Sequence, residues 1–191
     1  IQTATPDFKA IPLQTGTTAT GSALWLCANS MLWTNARDIT RVIEFDWQPI
    51  TTSTAAQRFT LMSGLQATSN FLADNTGIYL RAIDTVNAGK IQCVVRNGAA
   101  ETVINTALTA YGVQRRVYIV ITIVSTVVSI YFYINEQLQN SGGTAITTNI
   151  PANGALLRVG SGIKKSIGTT NAIFYNSYMR IYRTFTAGKR F

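Results

Sequence analysis

The side chains able to do chemistry are few, and their types narrow the field. Histidine is absent, which removes a Ser-His-Asp triad, a Cys-His nucleophile pair and imidazole ligands for zinc or iron. The cysteines are Cys27 and Cys93 alone, too few for a structural zinc site. They lie in the apolar stretches Ala23-Leu-Trp-Leu-Cys27 and Ile91-Gln-Cys93-Val-Val95. Both read as buried free thiols, with a disulfide between them as the minor alternative. Among the carboxylates, Glu44 and Asp46 share one strand face. Retaining glycoside hydrolysis needs two carboxyl groups about 5 Å apart. Asp74-Asn75 and Asp84, with Asn87 nearby, could offer oxygen ligands to calcium or simply cap loops as Asx turns. Trp33, in Asn29-Ser-Met-Leu-Trp33-Thr-Asn35, and Tyr111, before Gly112, are loop-placed aromatics. Either could stack on a sugar or plug the end of a β-sandwich.

These residues must be positioned by strands. The chain has 191 residues and is 47% hydrophobic, enough for one large core and one domain over 1–191. No helical period is sustained. Alternation is clear from Ile39 to Trp47, where Ile39, Ile43, Phe45 and Trp47 share one face and Thr40, Val42, Glu44 and Asp46 the other. Arg41 interrupts the apolar side, which puts that end near a sheet margin. Glu44 and Asp46 are then expected on the solvent side. Further strand-like runs are Arg58–Ser63, Gly77–Ile83, Lys90–Arg96, Glu101–Asn105, Arg116–Val124, Val127–Asn135, Ala155–Gly160 and Phe174–Phe185. Gly- and Asn-rich turns divide them, the pattern of an all-β sandwich or barrel. Residues 1–22, Thr-rich with Pro6 and Pro12, read as an extended lead-in or edge strand.

Val117 to Ile134 is uncharged and long enough by count to cross a membrane. Its Val, Ile, Thr and Tyr content favours two strands reversing at Ser125-Thr126 instead. With a two-residue turn there, Val117, Ile119, Ile121 and Ile123 face Ile134, Phe132, Ile130 and Val128, a wholly apolar set that must be core. A longer turn would shift that register, because Ser-Thr is an unusual primed turn. The opposite face pairs Tyr118 with Tyr133, Val120 with Tyr131 and Thr122 with Ser129. It is aromatic and hydroxylic without charge, which suits a glycan, a protein partner, or cover by the chain's own loops.

Net charge is +8, yet only 13% of residues are charged. The basic residues are dispersed, with small doublets at Arg115-Arg116, Lys164-Lys165 and Lys189-Arg190. No nucleic-acid motif accompanies them, so nucleic acid is not expected as a partner and the charge reads as that of a solvated surface. The sequence begins with Ile1 and has no Asn-x-Ser/Thr sequon. It reads as a fragment, a processed product or a trimmed module, and not as a eukaryotic secreted glycoprotein.

Arg116-Val-Tyr-Ile-Val-Ile-Thr followed by Val128-Ser-Ile-Tyr-Phe-Tyr-Ile-Asn135-Glu-Gln-Leu138 resembles the hairpin of laminin-G-like domains, with Glu136 where that pattern prefers Gly. Leu156-Leu-Arg-Val-Gly160, Phe174-Tyr-Asn-Ser-Tyr-Met-Arg-Ile-Tyr182-Arg and Ile39-Thr-Arg-Val-Ile-Glu-Phe-Asp-Trp47-Gln-Pro are similar to further strands of the same group, in the same order. The group is the concanavalin A-like lectin/glucanase superfamily. The resemblance implies a two-sheet antiparallel jelly-roll sandwich that binds carbohydrate or protein. It also implies a setting on secreted proteins, polysaccharide-degrading enzymes, or bacteriophage fibres and head decorations. Catalytic members carry Glu-x-Asp-x-x-Glu; Glu44-Phe45-Asp46 echoes its first half, but Pro49 holds the closing position.

The expectation is a non-catalytic attachment module on a virion surface or extracellular protein, a phage fibre or decoration. Its partners would be a glycan or neighbouring subunits of a homo-oligomer, met through Tyr118, Tyr131 and Tyr133, with Trp33 and Tyr111 as further contacts. No cofactor is expected, with calcium at Asp74, Asn75 and Asp84 as the alternative to loop capping. The alternatives are a glycoside hydrolase or lyase, and a basic jelly-roll capsid protein whose binding would fall steeply with salt.

Overall fold

The computed structural model describes residues 11–27, 31–34, 38–51, 54–67, 76–84, 86–176 and 179–184. The strands are β1 (Ile11–Gln14), β2 (Ser22–Leu26), β3 (Met31–Leu32), β4 (Ile39–Pro49), β5 (Arg58–Ala67), β6 (Gly77–Ile83) and β7 (Lys90–Asn97). They continue as β8 (Ala100–Thr109), β9 (Arg115–Val124), β10 (Val127–Ile134), β11 (Gln137–Leu138), β12 (Leu156–Ile167), β13 (Ile173–Asn176) and β14 (Met179–Thr184). The first sheet has the order β1-β13-β4-β9-β10-β11, with β14 also on β4; the second has β2-β12-β5-β6-β7-β8, with β3 also on β12. All pairings are antiparallel, and the two sheets form the jelly-roll sandwich expected of the concanavalin A-like fold.

The β9–β10 hairpin shows why these residues take this form. Val124 pairs with Val127 and Val117 with Ile134, the register of a two-residue turn. Ser125 and Thr126 both take positive φ, 47° and 72°, a primed turn whose twist matches the strands although neither residue is glycine. Asp38 offsets part of that strain by accepting the Ser125 backbone N–H at 2.7 Å. Asn135 and Glu136 repeat the conformation with φ 49° and 65°, so the turn holds even with Glu in place of Gly. The predicted apolar set is fully inside: Val117, Ile119, Ile121, Ile123, Ile130, Phe132 and Ile134 are at most 1% exposed. From the facing sheet, Leu61, Leu65, Ile78, Leu80, Cys93 and Val95 complete the same cluster.

Some elements run differently from the sequence reading. The strand expected to stop at Ser63 continues to Ala67, that at Asn105 to Thr109, and that at Gly160 to Ile167. The run from Phe174 is two strands, and the chain gains one residue against β4 between the Tyr175–Gln48 and Met179–Phe45 pairs. Ser22–Leu26, apolar but unmarked as a strand, pairs with β12. In the lead-in, β1 is an edge strand containing Pro12, where its missing N–H is tolerated; residues 1–10 lie outside the described set. Cys27 is exposed, contrary to the buried thiol expected, because it follows the last residue of edge strand β2. Cys93 is buried and free, and burial pushes its thiol far above the ordinary range.

Candidate functional site

The outer face of the first sheet gathers the predicted tyrosines. Register aligns Thr40, Thr122 and Ser129 in one row and Tyr182, Val42, Val120 and Tyr131 in the next. The third row is Arg180, Glu44, Tyr118 and Tyr133, and Asp46 lies beside Arg116 beyond it. Tyr118, Tyr131 and Tyr133 are half-buried and Tyr182 is exposed. Burial, then the Glu44 carboxylate, pushes the Tyr118 phenol above its ordinary value, with Arg116 opposing.

Glu44 and Asp46 are not solvent-side residues. They are 2% and 4% exposed although they point away from the core, because arginine side chains lie over them. Arg180 donates to Glu44 at 2.6 Å, Arg116 stands 3.5 Å from Asp46, and Gln114 donates to Asp46 at 3.0 Å. Sequence reasoning could not supply Arg180 or Tyr182, since their place depends on β14 pairing with β4 over more than a hundred residues of chain. The aromatic platform is thus uncharged at its centre and bounded on one side by compensated ion pairs. The Arg180 guanidinium also sits 5.2 Å from the Tyr182 ring centre, within cation–π range.

Trp33 does not join this face. It is fully buried between the layers, its backbone tied to Ala155 and Gly154, which corrects the sugar-stacking expectation in favour of the plug. Tyr111 is half-buried against the core near Gly89, away from the three tyrosines in register. Asp74 and Asn75 lie outside the described residues. Asp84 is 3.3 Å from Arg58, and Asn87 donates to the Thr106 carbonyl at 3.2 Å. Among the described residues, no group of three or more Cys, Asp or Glu side chains could enclose a metal ion.

A second feature was missed by sequence reasoning. On the outer face of the second sheet, Arg81 donates to Gln92 at 2.8 Å and to both oxygens of Glu101 at 3.1 and 3.0 Å. Arg96 reaches Glu101 at 2.7 Å, and Gln92 donates to Asn105 at 2.6 Å. Burial alone would raise the Glu101 carboxyl, but hydrogen bonds and charge from Arg81 and Arg96 hold it below the usual carboxylate range. The available signal was the alternation of polar residues Arg81, Gln92, Arg96 and Glu101 along neighbouring strands, seen earlier only as strand pattern.

No family model matches the chain, and no curated protein matches it. Among solved structures, the carbohydrate recognition domain of Emp46p is similar over 88% of this chain and 81% of its own, with a TM-score of 0.63 and 7% identity. The carbohydrate recognition domain of Emp47p is similar over 91% and 85%, with a TM-score of 0.61 and 8% identity. Alginate lyase AlyC3, solved with dimannuronate, covers 93% of this chain and 75% of its own, with a TM-score of 0.60 and 9% identity. At such identities the likeness establishes the fold, the concanavalin A-like jelly roll. Among the described residues, no helix is long and apolar enough to cross a membrane.

Proposed function

We propose that this chain is a non-catalytic carbohydrate-binding attachment module, on a virion surface or an extracellular protein, and that the first sheet's outer face is its binding platform. The observation that supports this is the register that brings Tyr118, Tyr131 and Tyr133 with Tyr182 onto one face, beside the compensated Arg180–Glu44 pair. Sugar C–H faces pack on such rings while the flanking hydroxyls of Thr40, Thr122 and Ser129 meet sugar hydroxyls. Catalysis is left out of the proposal because Glu44 and Asp46 are engaged with Arg180, Arg116 and Gln114. A glycosidase acid must hold a proton for the leaving group, a role that a carboxylate clamped by arginine serves poorly.

A glycan array with the wild type and the Tyr131→Ala/Tyr133→Ala variant tests the proposal. Retention of at least one glycan class, reduced about tenfold or more in the variant at unchanged melting temperature, is expected. Equal retention by both proteins would refute the platform. A second reading, favoured by the preformed Arg81–Gln92–Glu101–Arg96 network, places the glycan on the outer face of the second sheet. Planar polar groups held in fixed geometry are suited to paired sugar hydroxyls. Arg96→Ala would then lose the retention that the tyrosine variant keeps.

A further inference from the structure

Buried cations without counter-charge mark another place in the molecule. Arg41 points inward from β4 and is only 3% exposed. Its Nη1 donates to the Thr34 carbonyl at 3.1 Å, and its guanidinium lies 5.4 Å from the Trp33 ring centre. The Arg41 Nε and the Trp33 Nε1 are both buried N–H donors with no acceptor among the described residues. Buried donors of this kind are rare in folded proteins, and an acceptor-rich ligand would satisfy them. A like charge across the strand pair makes the need greater. Arg183 is the direct cross-strand partner of Arg41, on the same sheet face and exposed. Like charges directly opposite on neighbouring strands are unfavourable. Burial, then Arg183, draws the Arg41 guanidinium below its ordinary value.

Among the described residues, the carboxylates are engaged elsewhere. Asp84 faces Arg58, Glu101 faces Arg81 and Arg96, and Glu44 and Asp46 face Arg180 and Arg116. Asp38 holds the Ser125 turn, and Glu136 occupies the exposed turn after β10. Arg115, another inward-pointing arginine of this sheet, shares an orphaned Nε but has no arginine opposite it: Trp47 is its cross-strand partner, and its Nη2 lies 3.2 and 3.5 Å from the Thr109 carbonyl and hydroxyl oxygens.

We propose that Arg41, Arg183 and Trp33 form an oxyanion-binding site at the margin of the sandwich, taking a sulfate or carboxylate group. Trp33 Nε1 and Arg41 Nε supply the donors at its floor, and the exposed Arg183 supplies the second charge at its mouth. The acceptor-only chemistry of an oxyanion matches a site made wholly of donors. The site is separate from the tyrosine platform and does not depend on the glycan reading.

The test uses the whole chain, with inorganic sulfate and sodium glucuronate as probes at constant ionic strength balanced by chloride. Tryptophan emission reports occupancy directly because Trp33 is a site wall. A saturable change is expected, weakened at least about fivefold in Arg183→Ala; Trp33→Phe, which removes the reporter itself, is read by calorimetric titration with the same anions and should weaken binding likewise. Lys164→Ala, an exposed charge on the other sheet, should leave it unchanged. A stronger response to glucuronate than to sulfate would assign the site to acidic sugars, and the reverse to sulfate groups. A non-saturating response, or one equal in all variants, would overturn the proposal, since general salt effects behave that way. Arg183 is exposed, so its variant decides the matter even if Trp33→Phe folds poorly.

Discussion

Glu101 and Glu44 show how differently a carboxylate can sit on an outer sheet face. Glu101 is held by Arg81 and Arg96 and is partly open to solvent, with its carboxyl lowered relative to an unfolded chain. A group with a depressed folded value stabilises the fold above its unfolded value, about 4.3 for glutamate, and loses that contribution as pH falls through the lower folded value. Glu101→Gln is therefore expected to flatten the stability profile in that acid window and leave its shape near neutrality unchanged. Melting curves from pH 3 to 7 would show this, and an unaltered acid limb would count against the network. Residue types alone hinted at this chemistry but not at its partners. Glu44 and Asp46 alternated as solvent-side residues should, yet Arg180 lies over Glu44 from a strand 136 positions later. Trp33 looked like a loop aromatic for the same reason, because its contact with Arg41 crosses the layers.

At the scale of the element, the β9–β10 hairpin was legible because its period of two left a single register in which every inward residue was apolar. Its turn was the less certain part, since Ser125-Thr126 pays conformational strain at two positive φ angles. Replacing the pair with Asn-Gly should raise stability by about 1 kcal/mol, read from a denaturant midpoint at unchanged slope. A lower midpoint would mean the turn is not primed. In the second sheet, Gly64 combines φ of 140° with a backbone approach that leaves no room for a side chain. A Cβ there would meet the Ile78 carbonyl oxygen at 2.6 Å. Gly64→Ala is expected to cost about 2–4 kcal/mol by the same assay. The extents of β5, β8 and β12 were underestimated for a related reason: glycine, threonine and serine inside strands look like turn residues until pairing partners are known.

For the whole molecule, the two sheets share one large apolar core, into which the Asn176–Ser161–Ser63 bridge is set. Asn176 donates to the Ser161 hydroxyl at 2.7 Å, and that hydroxyl meets Ser63 at 2.7 Å. Alternation sufficed to indicate the sandwich, whereas the placement of β14, β2 and β3 depended on long-range pairing that no local pattern carries. That is why the tyrosine face was recognisable and its arginine border was not. Which outer face meets the ligand decides the function. Amide and tyrosine-ring NMR shift mapping, using the glycan best retained on an array, measures this directly. Shifts clustered on Tyr118, Tyr131, Tyr133 and Tyr182 are predicted; shifts confined to Arg81, Gln92, Arg96 and Glu101 would contradict it.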